Sequence, residues 1–150
     1  LKSWPTKNWA ELGNKLVERG YEVIFIGGSM EQGMIEPYYD ELDSRIVSFI
    51  GKHSIKESFQ VVREADLVVG VDTGLIHAAS IQGTATLTLF GPTDPTIVKP
   101  FGPYSEIIHN TVECSPCLGY DHSYTCTNNK CMQGISVELV LDSILQIFER

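Results

Sequence analysis

Asp72-Thr73-Gly74, with His77 three residues beyond the glycine, is the stretch of this sequence best equipped for chemistry. The carboxylate accepts hydrogen bonds from hydroxyls. The threonine hydroxyl donates one or caps a helix, and the glycine lets an anion approach the backbone with no Cβ in the way. On one side stands the apolar run Leu67 to Val71, and on the other a run of small and apolar residues from Leu75 to Gln82. The pattern predicts a buried strand, a tight polar turn and a helix that stops at Gly83. Amides that open such a helix lack intrahelical partners and sit at the positive end of its dipole, which suits a phosphate. His77 lies about one helical turn after Gly74 and faces roughly the same way. Taken alone, Asp-Thr-Gly serves equally well as a helix cap, and His77 as a surface or core histidine. A second polar turn, Phe90-Gly91-Pro92-Thr93-Asp94-Pro95, closes the next expected strand, Ala85 to Phe90. Two polar turns at adjacent strand ends line a crevice of the kind that holds ligands in open α/β sheets.

The elements that must position these residues follow from periodicity. A helix is expected from Lys7 to about Arg19, capped by Thr6 and ended by Gly20. A strand from Glu22 to Ile26 runs into Gly27-Gly28-Ser29, which lacks the Gly-x-Gly-x-x-Gly spacing of a dinucleotide fingerprint. Glu31 to Leu42 reads as a helix made irregular by Gly33 and Pro37. Then come a strand at Ile46 to Phe49, a helix at Ile55 to Glu64 capped by Ser54, a short strand at Glu106 to His109, and an amphipathic helix at Val137 to Phe148 capped by Ser136. The alternation predicts an α/β, Rossmann-like parallel sheet with helices on both faces and right-handed crossovers. Asp72 is expected at the C-terminal end of a central strand. A carboxylate beside the Gly27-Gly28 turn could accept hydrogen bonds from ligand hydroxyls; Glu31 stands there and equally suits a helix first turn.

At 150 residues and 43% hydrophobic content the chain suits one domain with its own core. A net charge of -8 argues against a nucleic-acid surface or a polybasic membrane patch, so an anionic ligand must be met by local donors. No apolar run approaches the ~20 residues that span a bilayer.

Cys114, Cys117, Cys126 and Cys131 follow a C-x2-C-x8-C-x4-C pattern in a loop-rich segment at about 112–134. Four thiolates so spaced suit a structural zinc, with His122 as a substitute ligand; free thiols and an adventitious disulfide are the alternatives, and no metal is assigned. The segment follows both polar turns and is expected to be a surface excursion outside the crevice.

Asp72-Thr73-Gly74-Leu75-Ile76-His77 followed by Leu89-Phe90-Gly91-Pro92-Thr93-Asp94-Pro95 resembles the donor-site signature of glycosyltransferase family 9, the heptosyltransferases of lipopolysaccharide core assembly. Lys2-Ser3-Trp4-Pro5 resembles the opening of that family's C-terminal half. The resemblance implies the C-terminal half of a GT-B enzyme, with an N-terminal acceptor domain and its general base absent from this chain. It further implies a nucleotide-diphosphate sugar, ADP-heptose, bound by Lys2, Glu31, Asp72, Thr73, Gly74 and His77. By the same resemblance Lys2 reaches the phosphates and Glu31 the ribose, no cofactor is required, lipopolysaccharide core is the acceptor, and the enzyme works in the cytoplasm, peripherally at the inner membrane. A nucleotide-sugar 2-epimerase of the same two-domain fold would call for a carboxylate pair after the turn, where Leu75-Ile76-His77 stands. A zinc-stabilised binding module would leave Asp72 to Pro95 unexplained.

Overall fold

The computed structural model describes residues 2–117, 126 and 128–150. Its helices are α1 (Thr6–Glu18), α2 (Ser29–Ile35), α3 (Ile55–Glu64), α4 (Gly74–Ile81), α5 (Pro95–Val98), α6 (Lys130–Gln133) and α7 (Val137–Phe148). Between them lie strands β1 (Ile24–Phe25), β2 (Val47–Ser48), β3 (Leu67–Val71), β4 (Ala85–Phe90) and β5 (Ser105–His109). The class is α/β and every strand pairing described is parallel. The chain divides into two compact units, Leu1–Trp4 with Phe59–Ile135 and Pro5–Ser58 with Ser136–Arg150.

In the second of these, α1 packs on α7; α1 buries Ala10, Leu12 and Val17, and α7 buries Val137, Val140, Leu141 and Ile144. That is the apolar spacing the sequence shows. Thr6 does not cap α1: it is already helical, and Pro5, whose ring fixes an extended entry at φ -54° and ψ 131°, takes the cap position. Gly20 does end the helix, at φ +88°, with its amide on Val17 O and that of Tyr21 on Leu16 O. The helix expected from Glu31 to Leu42 is broken: α2 gives way at Glu36–Glu41 to a 3₁₀ turn, where Pro37 supplies no N–H. Ser54 and Glu57 form a reciprocal capping box before α3, and Ser136 Oγ accepts the Leu139 amide at 3.2 Å. Strands β1 and β2 pair over two residues only, Ile24 with Val47 and Phe25 with Ser48.

In the first unit the sheet order is β3-β4-β5, so β4 holds the centre and β3 an edge of this three-stranded sheet. The expectation of a central strand before Asp72 is corrected accordingly. Strand β4 is the one that buries Leu87, Leu89 and Phe90, whereas β3 is only partly covered. Apolarity along a strand reports how much of it is buried, not which neighbours it has. Helix α4 packs on β3 and β4 and buries Ile76 and Ala79. Gly83, at φ +88°, follows its end. Helices α5 and α6, each of four residues, leave no mark in the sequence pattern because one turn is too short to show a period. Among the described residues no helix is long and apolar enough to cross a membrane.

Candidate functional site

Parallel register sets the site. Val71 pairs with Leu89, so β3 and β4 end together and the turns that follow them, Asp72-Thr73-Gly74 and Gly91-Pro92-Thr93, open on the same edge. Asp72 sits between them, 8% exposed. Its Oδ1 lies 3.1 Å from His77 Nε2. Its Oδ2 accepts from Lys2 Nζ at 2.7 Å and from Thr93 Oγ1 at 3.2 Å. Lys2 also donates to the Asp72 carbonyl at 3.5 Å.

Lys2 comes from the far end of the chain and is brought in by its neighbours. Trp4, only 1% exposed, donates from Nε1 to Ile135 O at 2.9 Å, and Asn129 Nδ2 donates to Ser3 O at 2.8 Å. These two anchors on the following residues hold the backbone from which the lysine side chain reaches Asp72.

Thr73 occupies the cap position of α4 with extended backbone (φ -142°, ψ 163°), but its side chain makes no cap bond. The expectation that it caps the helix is thus corrected. The first intrahelical donor is His77, whose amide reaches Thr73 O at 3.4 Å. The preceding amides, of Gly74, Leu75 and Ile76, therefore belong to the unsatisfied first turn. A Cβ built on Gly74 would meet nothing within 4 Å, so the space beside this residue is open.

Burial pushes the Asp72 carboxyl up. Hydrogen bonds from Lys2 and His77, the ammonium charge of Lys2 and the Thr93 hydroxyl together outweigh it and hold the carboxyl below its ordinary value. The group is thus an anion at neutral pH, clamped by a cation and two further polar side chains. A fixed ammonium, an imidazole and an uncapped helix start, side by side, can hold a small anion such as a phosphate.

The structure thus brings Lys2, Asp72 and His77 together with the Thr73-Gly74 turn. Glu31 belongs to the other unit, in the first turn of α2, where its side chain lies back over Gly27 and Gly28. Sequence reasoning did not single out Thr93. The signal for it was present in the second polar turn, but choosing among its residues needed the strand register.

All four cysteines are free. Cys131 and Met132 are buried, so the end of the Cys-rich segment is core and not surface. It backs the second turn closely: a Cβ on Gly91 would lie 2.6 Å from Met132 Sδ and 2.8 Å from Cys131 Sγ. Ser115 Oγ donates to Gly91 O, and Cys117 N to Pro92 O at 2.9 Å. Burial foremost, with Cys114 and Cys126 adding, pushes the Cys117 thiol up; burial foremost, with Cys117 and Cys126 adding, does the same for Cys131. Among the described residues no group of three His, Cys, Asp or Glu is arranged to hold a metal ion. His122 lies outside the described residues, as do 118–121, 123–125 and 127.

Comparison with known proteins bears on the family and the fold. The model of glycosyltransferase family 9 (heptosyltransferase) matches residues 1–128. Lipopolysaccharide heptosyltransferase 1 of Pseudomonas aeruginosa is 33% identical over 127 residues, covering 84% of this chain and 34% of that protein. Among solved structures, the family 9 glycosyltransferase of Veillonella parvula superposes with a TM-score of 0.82 at 21% identity, over 97% of this chain and 42% of that one. The Escherichia coli heptosyltransferase WaaC with ADP gives 0.76 at 21% identity, over 97% and 40%. The chain thus spans about a third of the length of that curated relative and about two fifths of the solved chains.

Proposed function

Because the chain belongs to glycosyltransferase family 9 (heptosyltransferase), we propose that Lys2, Asp72, Thr73, Gly74 and His77 hold the diphosphate and sugar of a nucleotide-sugar donor. The observation that carries this reading is the Lys2–Asp72–His77 cluster at the uncapped, open start of α4. ADP-heptose is the donor we favour and lipopolysaccharide core the acceptor of the whole protein. The first rests on the likeness to WaaC with ADP and on the heptosyltransferase name of the family, the second on the name of the Pseudomonas aeruginosa relative.

The chemistry follows from the donors present. Lys2 spends two N–H groups on Asp72, and an ammonium has three. The third serves the distal phosphate, while the first amides of α4 serve the diphosphate at Gly74. As the anomeric C–O bond breaks, its electron pair moves to a diphosphate oxygen, and these fixed donors stabilise the charge that forms there. The acceptor hydroxyl oxygen bonds to the anomeric carbon and its proton passes to a base that we place outside this chain. His77, oriented by Asp72, faces a sugar hydroxyl. Glu31 retains, by resemblance alone, a role at the ribose. Written this way the transfer needs no cofactor, and it belongs in the cytoplasm at the inner membrane.

Calorimetric titration of the chain with ADP, AMP and UDP tests the reading. Saturable ADP binding is expected, with Lys2→Ala weakening ADP more than AMP. Absence of any ADP binding to the folded chain would overturn it.

A further inference from the structure

Thr93 is 5% exposed and, among the described residues, carries the one hydroxyl that reaches Asp72. A buried hydroxyl must place its proton on an acceptor, and Asp72 Oδ2 is that acceptor, 3.2 Å away. Lys2 Nζ donates to the same oxygen, so Oδ2 is occupied by two donors while Oδ1 is turned to His77. Rotation of the carboxylate about its last bond would break all three contacts at once.

The backbone that presents Thr93 is itself held on both sides. Before it, Gly91 O accepts from Ser115 Oγ and Pro92 O from Cys117 N. After it, Asp94 Oδ1 accepts from Thr96 N at 2.9 Å and from Thr96 Oγ1 at 2.7 Å, which pins the start of α5. A side chain so fixed at its base can set a neighbour's rotamer.

We propose that Thr93 is a positioning residue: through its hydrogen bond it fixes the Asp72 carboxylate, and through that carboxylate the directions of the Lys2 ammonium and the His77 imidazole. This rests on the donor-binding reading for its consequence in binding, but the positioning itself can be read without any ligand. Among the described residues the side chains that hydrogen-bond Asp72 are Lys2, His77 and Thr93, so removing the hydroxyl leaves the carboxylate held by the two basic groups with one restraint fewer.

Three variants separate the roles of the hydroxyl. Thr93→Val keeps the shape and removes the donor; Thr93→Ser keeps the donor and removes a methyl; Thr93→Ala serves should the valine variant not fold. In the nucleotide-free protein, ¹³C NMR titration of the Asp72 carboxyl should show its midpoint raised in Thr93→Val and unchanged in Thr93→Ser. ADP affinity should fall about fivefold in Thr93→Val, the scale of one hydrogen bond, and be restored in Thr93→Ser. An Asp72 titration identical in all folded variants overturns the positioning role, whatever ADP does. A wild-type chain that binds no ADP defeats the donor-site reading instead, and the titration still decides the role of Thr93.

Discussion

Lys2 and Asp72, 70 positions apart, meet at 2.7 Å on the rim of the sheet, one 31% exposed and the other 8%. The carboxylate is thus buried with its counter-ion, while the ammonium keeps one side toward solvent. A pair arranged this way can offer its cation to a passing anion without leaving the buried carboxylate unmatched.

That pairing has a pH signature. Because the Asp72 carboxyl is held below its ordinary value, the folded chain binds that proton more weakly than the unfolded chain does. Its contribution to stability is present above the unfolded value of ~3.9 and is lost as pH falls through the lower, folded value. Urea unfolding of wild type and Asp72→Asn from neutral pH down to about 3 should show a stability gap that narrows on acidification. A gap of constant size across that range would count against the ionised clamp.

The open space at Gly74 gives a second expectation. Gly74→Val adds a branched side chain where nothing lies within 4 Å, so the fold should tolerate it. A diphosphate seated on the α4 amides would meet the new methyl groups. ADP affinity should drop more than tenfold, at least ~1.4 kcal/mol, with little change in melting temperature. Unchanged affinity in a folded Gly74→Val would remove the diphosphate from this turn.

The cysteines divide by burial. Cys131→Ser places a hydroxyl among Gly91 and Met132 in the core and should cost about 1–3 kcal/mol in denaturant unfolding. Cys114→Ser, at an exposed position, should stay within about 0.5 kcal/mol. Replacing all four should lower stability more than it lowers ADP affinity. The opposite ranking, measured by unfolding and calorimetry on the same protein, would make the cysteines part of the binding site.

The sequence by itself determined what is local. Leu67 to Val71, the Asp72-Thr73-Gly74 turn and the helix after it are contiguous, and strand, turn and helix each follow from short-range sterics and from the period of apolar residues. His77 was legible for the same reason, since a helix fixes its direction relative to Gly74. Gly20, Gly83, Ser54 and Ser136 marked element ends because positive φ and side-chain caps are properties of one or two residues. Tertiary structure alone decided that β4 and not β3 is central, because neighbour choice depends on packing across the sheet. It also left Thr73 without a cap bond, and chose Thr93 from its turn through the pairing of Val71 with Leu89. Family resemblance named Lys2, but its place beside Asp72 is set by Trp4 on Ile135 and Asn129 on Ser3, contacts that no short-range pattern encodes. Local propensity writes the elements; the direction of a side chain at a site is fixed by contacts between residues far apart in the chain, which exist only once the core has formed.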